Sequence, residues 1–326
     1  MSGPARPQPS RPAGGPEGDG RPLRTVLLEV SRQLGSASEA RWLVEHVAGP
    51  GSHAQVLAGT GAALDADADA ELQELVRRRL AGEPVQYLLG RWPFRQLQLA
   101  VDRRVLIPRP ETEVVTGHAL DELVRAAGDI PADAFGDDPV RVADLGTGSG
   151  AIALSLALEA PRRLTRRLQV WATDLSPEAL AVAGVNEAAA RAEHRAMAPV
   201  TLSEGSWFDA LPAELAGTFT LVVSNPPYVT EAEWSGLDRS VRDHEPRQAL
   251  VGGPRGVEQV DHILGEAPRW LARWGVLVLE LAPHQADDAA LRALVAGFDA
   301  VVVRRDLAGR QRALIARWPD PEVAAG

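Results

Sequence analysis

The sequence predicts an α/β protein in which a doubly wound, Rossmann-like sheet follows a small N-terminal helical domain. Three observations carry that prediction. A short apolar strand, Val142-Ala143-Asp144-Leu145, breaks into Gly146-Thr147-Gly148-Ser149-Gly150 and restarts as a helix with Ile152, Leu154 and Leu156. A second strand, alternating through Leu168, Val170 and Ala172, ends at Asp174, and Ser176-Pro177-Glu178 opens the next helix. A third apolar run, Phe219 to Val223, feeds the stretch Asn225-Pro226-Pro227-Tyr228. Strands alternating with helical patterns are the signature of βαβ units around a parallel sheet, and ligands in such sheets bind beyond the carboxyl ends of the strands.

Composition narrows the chemistry. The chain has 326 residues, enough for about two domains at roughly 100–200 residues each. With no cysteine there is no disulfide, Cys-ligated zinc or thiol catalysis. All 34 basic residues are arginine, so no lysine can act as a base or cradle a phosphate. A formal net charge of -10 disfavours a broad nucleic-acid footprint, which shows as a basic face. No apolar run approaches the ~20 residues of a membrane helix, and the N-terminus lacks a basic-then-apolar signal pattern. A cytoplasmic protein without membrane or stable nucleic-acid association is therefore expected. No metal is expected either, because His244, His262 and His284 lack ligand spacing.

In chain order, residues 1–21 are rich in Pro, Gly and Arg and read as a disordered tail. Residues 22–92 read as a helical substrate-recognition domain. Its apolar positions fall on helical faces: Leu23, Val26, Leu27 and Val30, then Ala40, Leu43, Val44 and Val47, then Leu72, Leu75, Val76 and Leu80. The acidic run Asp65 to Asp69 suits a helix start. Residues 93–113 form a hairpin and linker, with Leu97 to Val101 as one arm and Leu106-Ile107-Pro108-Arg109-Pro110-Glu111-Thr112-Glu113 leading into a helix. The catalytic domain spans 114–320, with a tail at 321–326. Within it, Leu202 to Trp207 reads as a third strand, Val276 to Leu281 as a further one, and Ala300 to Arg304 with Arg312 to Arg317 as a terminal hairpin.

The candidate site follows from this layout. Gly-x-Gly-x-Gly lets the backbone approach a ligand closely, although it is not the dinucleotide spacing Gly-x-Gly-x-x-Gly. A carboxylate closing strand two, here Asp174, accepts hydrogen bonds from ribose hydroxyls in such folds. Together they point to an adenosine-containing cofactor, with Trp207 placed to flank the adenine; core packing is an equally open role for that tryptophan. Two prolines make the segment after Asn225 rigid. It offers the Asn225 side-chain oxygen and the Pro226 carbonyl as fixed acceptors for a planar group bearing an NH2, with Tyr228 as an aromatic face. A plain Pro-Pro turn would use the same residues.

These motifs resemble one family. Gly82-Glu83-Pro84 with Tyr87, Leu106 to Glu113, Asp144 to Gly150, Asp174, Trp207-Phe208, Asn225 to Tyr228, Glu245-Pro246 with Ala249-Leu250, and Asp306 with Arg312 are similar, in order, to the release factor glutamine methyltransferases. The resemblance covers roughly Leu72 to Trp318. It implies a class I methyltransferase sheet and S-adenosylmethionine as cofactor, held by Gly146, Thr147, Gly148, Ser149, Gly150, Asp174, Trp207 and Asn225. The substrate it implies is the glutamine N5 of the Gly-Gly-Gln motif of peptide chain release factors. Asn225, Pro226 and Tyr228 would be catalytic, with Asn225, Pro226, Pro227, Tyr228, Arg109 and Glu111 binding the substrate. The Asn-Pro-Pro-Tyr motif also occurs in enzymes that methylate the amino group of nucleic-acid bases, which leaves that alternative open beside another protein glutamine. Two places depart from the family pattern: Ser206 stands where an acid is common, and Glu280-Leu281-Ala282-Pro283 replaces Glu-His-Gly or Glu-Ile-Gly.

Overall fold

The computed structural model describes residues 20–129 and 138–319. They fall into two compact units that divide between Ala81 and Gly82. The first is built from helices α1 (Leu23–Leu34), α2 (Ala37–Ala48), α3 (Ser52–Ala58) and α4 (Ala66–Leu80), with the short strands β1 (Arg21–Pro22) and β2 (Ala63–Leu64) paired antiparallel. Leu23, Val26 and Val30 of α1, Ala40, Leu43 and Val44 of α2, and Leu72, Leu75 and Val76 of α4 are buried. The Ser36 and Asp65 side chains cap α2 and α4 by accepting from the Glu39 and Ala68 amides, each worth about 1 kcal/mol. The expected tail lies outside the described residues except at its end. There Arg21 is ordered by β1 and by an ion pair of 2.6 Å to Asp69.

The second unit opens with α5 (Val85–Leu89) and the hairpin β3 (Arg91–Phe94) and β4 (Leu97–Ala100). Residues 82–92, read from sequence with the helical domain, pack here: Tyr87 joins this unit's core and donates its hydroxyl to the Val105 carbonyl at 2.6 Å. Then follow α6 (Pro110–Asp129), β5 (Val140–Leu145), α7 (Ala151–Glu159), β6 (Leu168–Asp174), α8 (Pro177–Glu193), β7 (Val200–Glu204) and β8 (Phe219–Ser224). The short elements β9 (Val229–Thr230), α9 (Glu231–Trp234), α10 (Arg239–Arg242) and β10 (Val251–Gly253) lead to α11 (Glu258–Trp270) and β11 (Leu271–Glu280). The unit ends with α12 (Ala286–Val295), β12 (Ala300–Arg305) and β13 (Gln311–Arg317).

Seven strands make one sheet in the order β12-β13-β11-β8-β5-β6-β7. Pairs β11·β8, β8·β5, β5·β6 and β6·β7 are parallel, whereas β13 runs antiparallel to both β11 and β12. Helices cover both faces, so the central strands are apolar on both sides rather than alternating. Val142, Leu221, Val223, Val276 and Val278 face one core. Ala143, Leu145, Val222, Leu277 and Leu279 face the other. The chain proceeds from β5 outward through β6 to β7, then returns to β8 on the opposite side of β5. That reversal is the topological switch point, where the crossovers diverge and leave a crevice at the strand ends. Ser224 Oγ donates to the Leu145 carbonyl at 2.6 Å and ties the two strand ends at this point.

The strand bounds shift most from those expected at β7 and β11. β7 stops at Glu204, because the chain turns at Gly205 and Trp207 enters a tight 3-10 turn at φ +47°. β11 starts earlier, at Leu271, with a register shift before Val276. No helix among the described residues is long and apolar enough to cross a membrane.

Candidate active site

A cavity of about 400 Å³ opens at the switch point and lies wholly within the second unit. Its first wall is the loop after β5. Asp144, the buried residue inside that strand, accepts from the Thr147 hydroxyl at 2.6 Å and from the Ala153 amide at 3.0 Å. One carboxylate thus clamps the loop to the first turn of α7, while burial pushes the carboxyl up to about 7. Gly148 has φ +56°, which disfavours a side chain, and a Cβ built there meets nothing within 4 Å. The loop therefore leaves open space toward the cavity that it lines.

The second wall is the end of β6. Asp174 accepts from the Gly148 amide at 2.8 Å through one oxygen and from the Ser176 amide at 2.9 Å through the other. The carboxylate keeps acceptor capacity beyond these bonds. Burial raises its pKa, against the lowering effect of those amides. Leu175, Ser176 and Ala179 continue this wall. Trp207 closes it: its ring lies against Gly146, where a Cβ would sit 3.2 Å from Cζ3, and its Nε1 donates to Gln259 Oε1 at 3.1 Å. The positive φ of Trp207, in the 3-10 turn after β7, accompanies the placement of this ring against the glycine loop.

The third wall is the corner after β8. Asn225 and Pro227 line the cavity, Pro226 is buried, and Tyr228 is half-buried, with its phenol pushed up to about 12 by burial and by nearby Glu280. The corner is held from behind. A Cβ on Gly252 would stand 2.2 Å from the Pro227 carbonyl oxygen, so only glycine permits this approach. Gln285 Nε2 donates to the Tyr228 carbonyl at 3.1 Å. The Asn225 Nδ2 lies 3.4 Å from Thr112 Oγ1, and Thr112 donates to Glu280 Oε2 at 2.7 Å. Burial pushes the Glu280 carboxyl up to about 7.

The cavity thus brings together Gly146, Thr147, Gly148, Ser149, Asp174, Trp207, Asn225 and Pro227 of the residues singled out in the sequence. Gly150 caps α7 at the loop's end. Pro226, Tyr228, Arg109 and Glu111 do not line it. Arg109 pairs with buried Glu245, which also accepts from the Ile107 amide at 3.1 Å. Glu111 pairs with Arg310 at 2.6 Å. Both pairs brace the segment that carries Leu106, Pro108 and Thr112 along the cavity. Thr112, Gln259 and Glu280 were not singled out as site residues. Glu280 carries a legible sign, an acid closing an apolar parallel strand as Asp174 does; Gln259, in the first turn of a helix, carries none.

A sheet of this order, with a glycine loop after its first parallel strand and an acid closing the next, defines a class I methyltransferase. Two family profiles match the chain: "PrmC N-terminal domain" over residues 26–90 and "Methyltransferase small domain" over residues 131–237. A release factor glutamine methyltransferase from Deinococcus radiodurans is 38% identical over 301 residues, covering 90% of this chain and 98% of that protein. One from Bordetella pertussis is 40% identical, covering 84% and 92%. A solved structure described as protein-(glutamine-N5) methyltransferase (release factor-specific), from Alicyclobacillus acidocaldarius, is 27% identical with a TM-score of 0.37, over 65% of this chain and 94% of that one. The chain belongs to the release factor glutamine methyltransferase family.

Proposed function

We propose that the protein transfers a methyl group from S-adenosylmethionine to the side-chain nitrogen of a glutamine, the one in the Gly-Gly-Gln motif of peptide chain release factors, in the cytoplasm. One observation carries the reading: Asn225 faces the same cavity as the glycine loop and Asp174. A cofactor cradle and an amide receptor therefore share one cavity. The residues present fit the cofactor. The space over Gly148 admits a ligand against the backbone, the Asp174 carboxylate can take a ribose hydroxyl, and the Trp207 ring with Ile152 and Ala179 offers apolar walls to a purine. Bound there, S-adenosylmethionine supplies an electrophilic methyl group.

The rest is the work of this chain. A carboxamide nitrogen is a poor nucleophile because its lone pair is delocalised into the carbonyl. The Asn225 oxygen and the Pro226 carbonyl would each accept one of its N–H groups, so positive charge can grow on nitrogen as the amide attacks. Acceptors fixed before reaction need no reorganisation when the charge develops. The Pro-Pro backbone keeps them fixed. Holding the amide against the cofactor adds the proximity contribution. The methylated nitrogen is strongly acidic while it bears the extra proton, so no dedicated base is required.

Incubation with isotope-labelled S-adenosylmethionine and a release factor tests the reading. Label is expected on the wild-type factor and not on one whose Gly-Gly-Gln glutamine is replaced, with none on RNA or DNA in parallel reactions. Equal labelling of both factors would overturn the assignment.

A further inference from the structure

The Asn225 side chain has two unlike ends, and the amide-receptor reading, on which this inference rests, needs its oxygen toward the cavity. We propose that Thr112 and Glu280 are positioning residues that fix this choice. Glu280 accepts a hydrogen bond from the Thr112 hydroxyl, Thr112 in turn accepts from the Asn225 NH2, and the Asn225 oxygen is left for the substrate amide.

The direction of each bond follows from the inventory of donors. A threonine hydroxyl has one proton to give, and an ionised carboxylate can only accept. The 2.7 Å contact from Thr112 Oγ1 to Glu280 Oε2 commits that proton, and charge assistance makes it the stronger of the hydroxyl's bonds. The lone pairs of Thr112 then face Asn225 Nδ2 at 3.4 Å. With the amide turned over, its oxygen would oppose another oxygen whose proton points elsewhere. Contacts of this kind are long before substrate binds and tighten in the complex.

The three residues come from the start of α6 and the ends of β8 and β11, and Thr112 and Glu280 are both buried. The other charged or titratable groups facing Glu280 are Arg109, Glu111, Arg312 and Tyr228. Their bonds run elsewhere: Arg109 pairs with Glu245, Glu111 with Arg310, and Arg312 Nη1 donates to the Leu281 carbonyl. Among the described residues Thr112 is the hydrogen-bond partner of Glu280, so the carboxylate's hydrogen bonding reaches the cavity through that hydroxyl, while Tyr228, which also feels its charge, does not line the cavity.

The chain contains two asparagines, Asn186 and Asn225. Selective 15N-asparagine labelling therefore reports the Asn225 NH2 directly, assigned by its loss in Asn225→Ala, with Asn186 as an internal monitor of folding. Thr112→Val keeps the shape and removes the hydroxyl, while Thr112→Ser restores it. Thr112→Val should shift the Asn225 resonances and speed their hydrogen exchange while Asn186 stays put. It should also lower kcat about tenfold or more, with KM for both substrates within about threefold. Thr112→Ser should recover both readouts. Unmoved Asn225 resonances in Thr112→Val, or a serine variant as impaired as the valine one, would overturn the relay. The resonance test needs no methyl acceptor. A wild-type enzyme that methylates no glutamine would therefore refute the function proposed above, while the spectrum still decides the relay.

Discussion

The proposed cofactor cradle, at the ends of β5 and β6, and the proposed amide corner, at the end of β8, are built on different principles. The cradle is largely backbone: the Gly148 and Ser176 amides and the glycine loop, held together by Asp144 and Asp174, all within Asp144–Ser176. The corner is side-chain work over long sequence separations. Thr112 comes from the start of α6 and Glu280 from the end of β11, with Gly252 and Gln285 packed behind the Pro-Pro turn. The Gly148 and Ser176 amides both donate to Asp174, so a glycine loop and one carboxylate from adjoining strand ends make a compact, local wall. The corner has to present one oxygen in one orientation, and that takes side chains locked by other side chains.

The comparison makes separable predictions. The largest effect is expected at the corner. Asn225→Ala should lower kcat by about 10²-fold or more, roughly 2.7 kcal/mol, the scale for losing one preorganised polar group. Calorimetry should find cofactor affinity little changed. A variant that binds cofactor poorly yet turns over normally when saturated would break the division. At the cradle, Asp174→Ala should weaken S-adenosylmethionine binding by about tenfold, near 1.4 kcal/mol, and leave kcat at saturation nearly intact. Unchanged affinity there would refute the ribose role. The smallest effect concerns pH. Burial places the Glu280 carboxyl at about 7, so its charge, and with it the charge-assisted bond from Thr112, is present above that pH and fades as pH falls through it. Turnover should decline several-fold between about pH 8 and about pH 6, while Glu280→Gln, which cannot titrate, should give a flatter profile. Parallel profiles would show that another group governs the decline.

The same contrast explains what could be read from the chain itself. The cradle was legible because its parts are local: a strand, a glycine loop and an acid closing the next strand are each visible in one short window. The Asn-Pro-Pro-Tyr corner was legible as a rigid turn because proline restricts its own backbone and its neighbour's. The corner's supports were not. Nothing in the window around Thr112 says that its hydroxyl reaches Glu280, since that contact exists only once β11 lies beside β8. Arg109 and Glu111 illustrate the converse. Charged residues in a motif invite a substrate role, yet each is paired with an opposite charge from a remote segment, Glu245 and Arg310. Trp207 lines the cavity, but in a 3-10 turn rather than at the end of a strand. Its left-handed backbone, which accompanies the ring's placement against Gly146, departs from the strand pattern that precedes it.

A crystal structure of the enzyme with S-adenosylhomocysteine and a release factor bearing the Gly-Gly-Gln glutamine tests the central claim most directly. The glutamine nitrogen is expected about 3 Å from both the Asn225 side-chain oxygen and the Pro226 carbonyl, with the cofactor sulfur on its far side. A glutamine bound away from the Pro-Pro corner, or an Asn225 amide presenting its nitrogen to the substrate NH2, would contradict it.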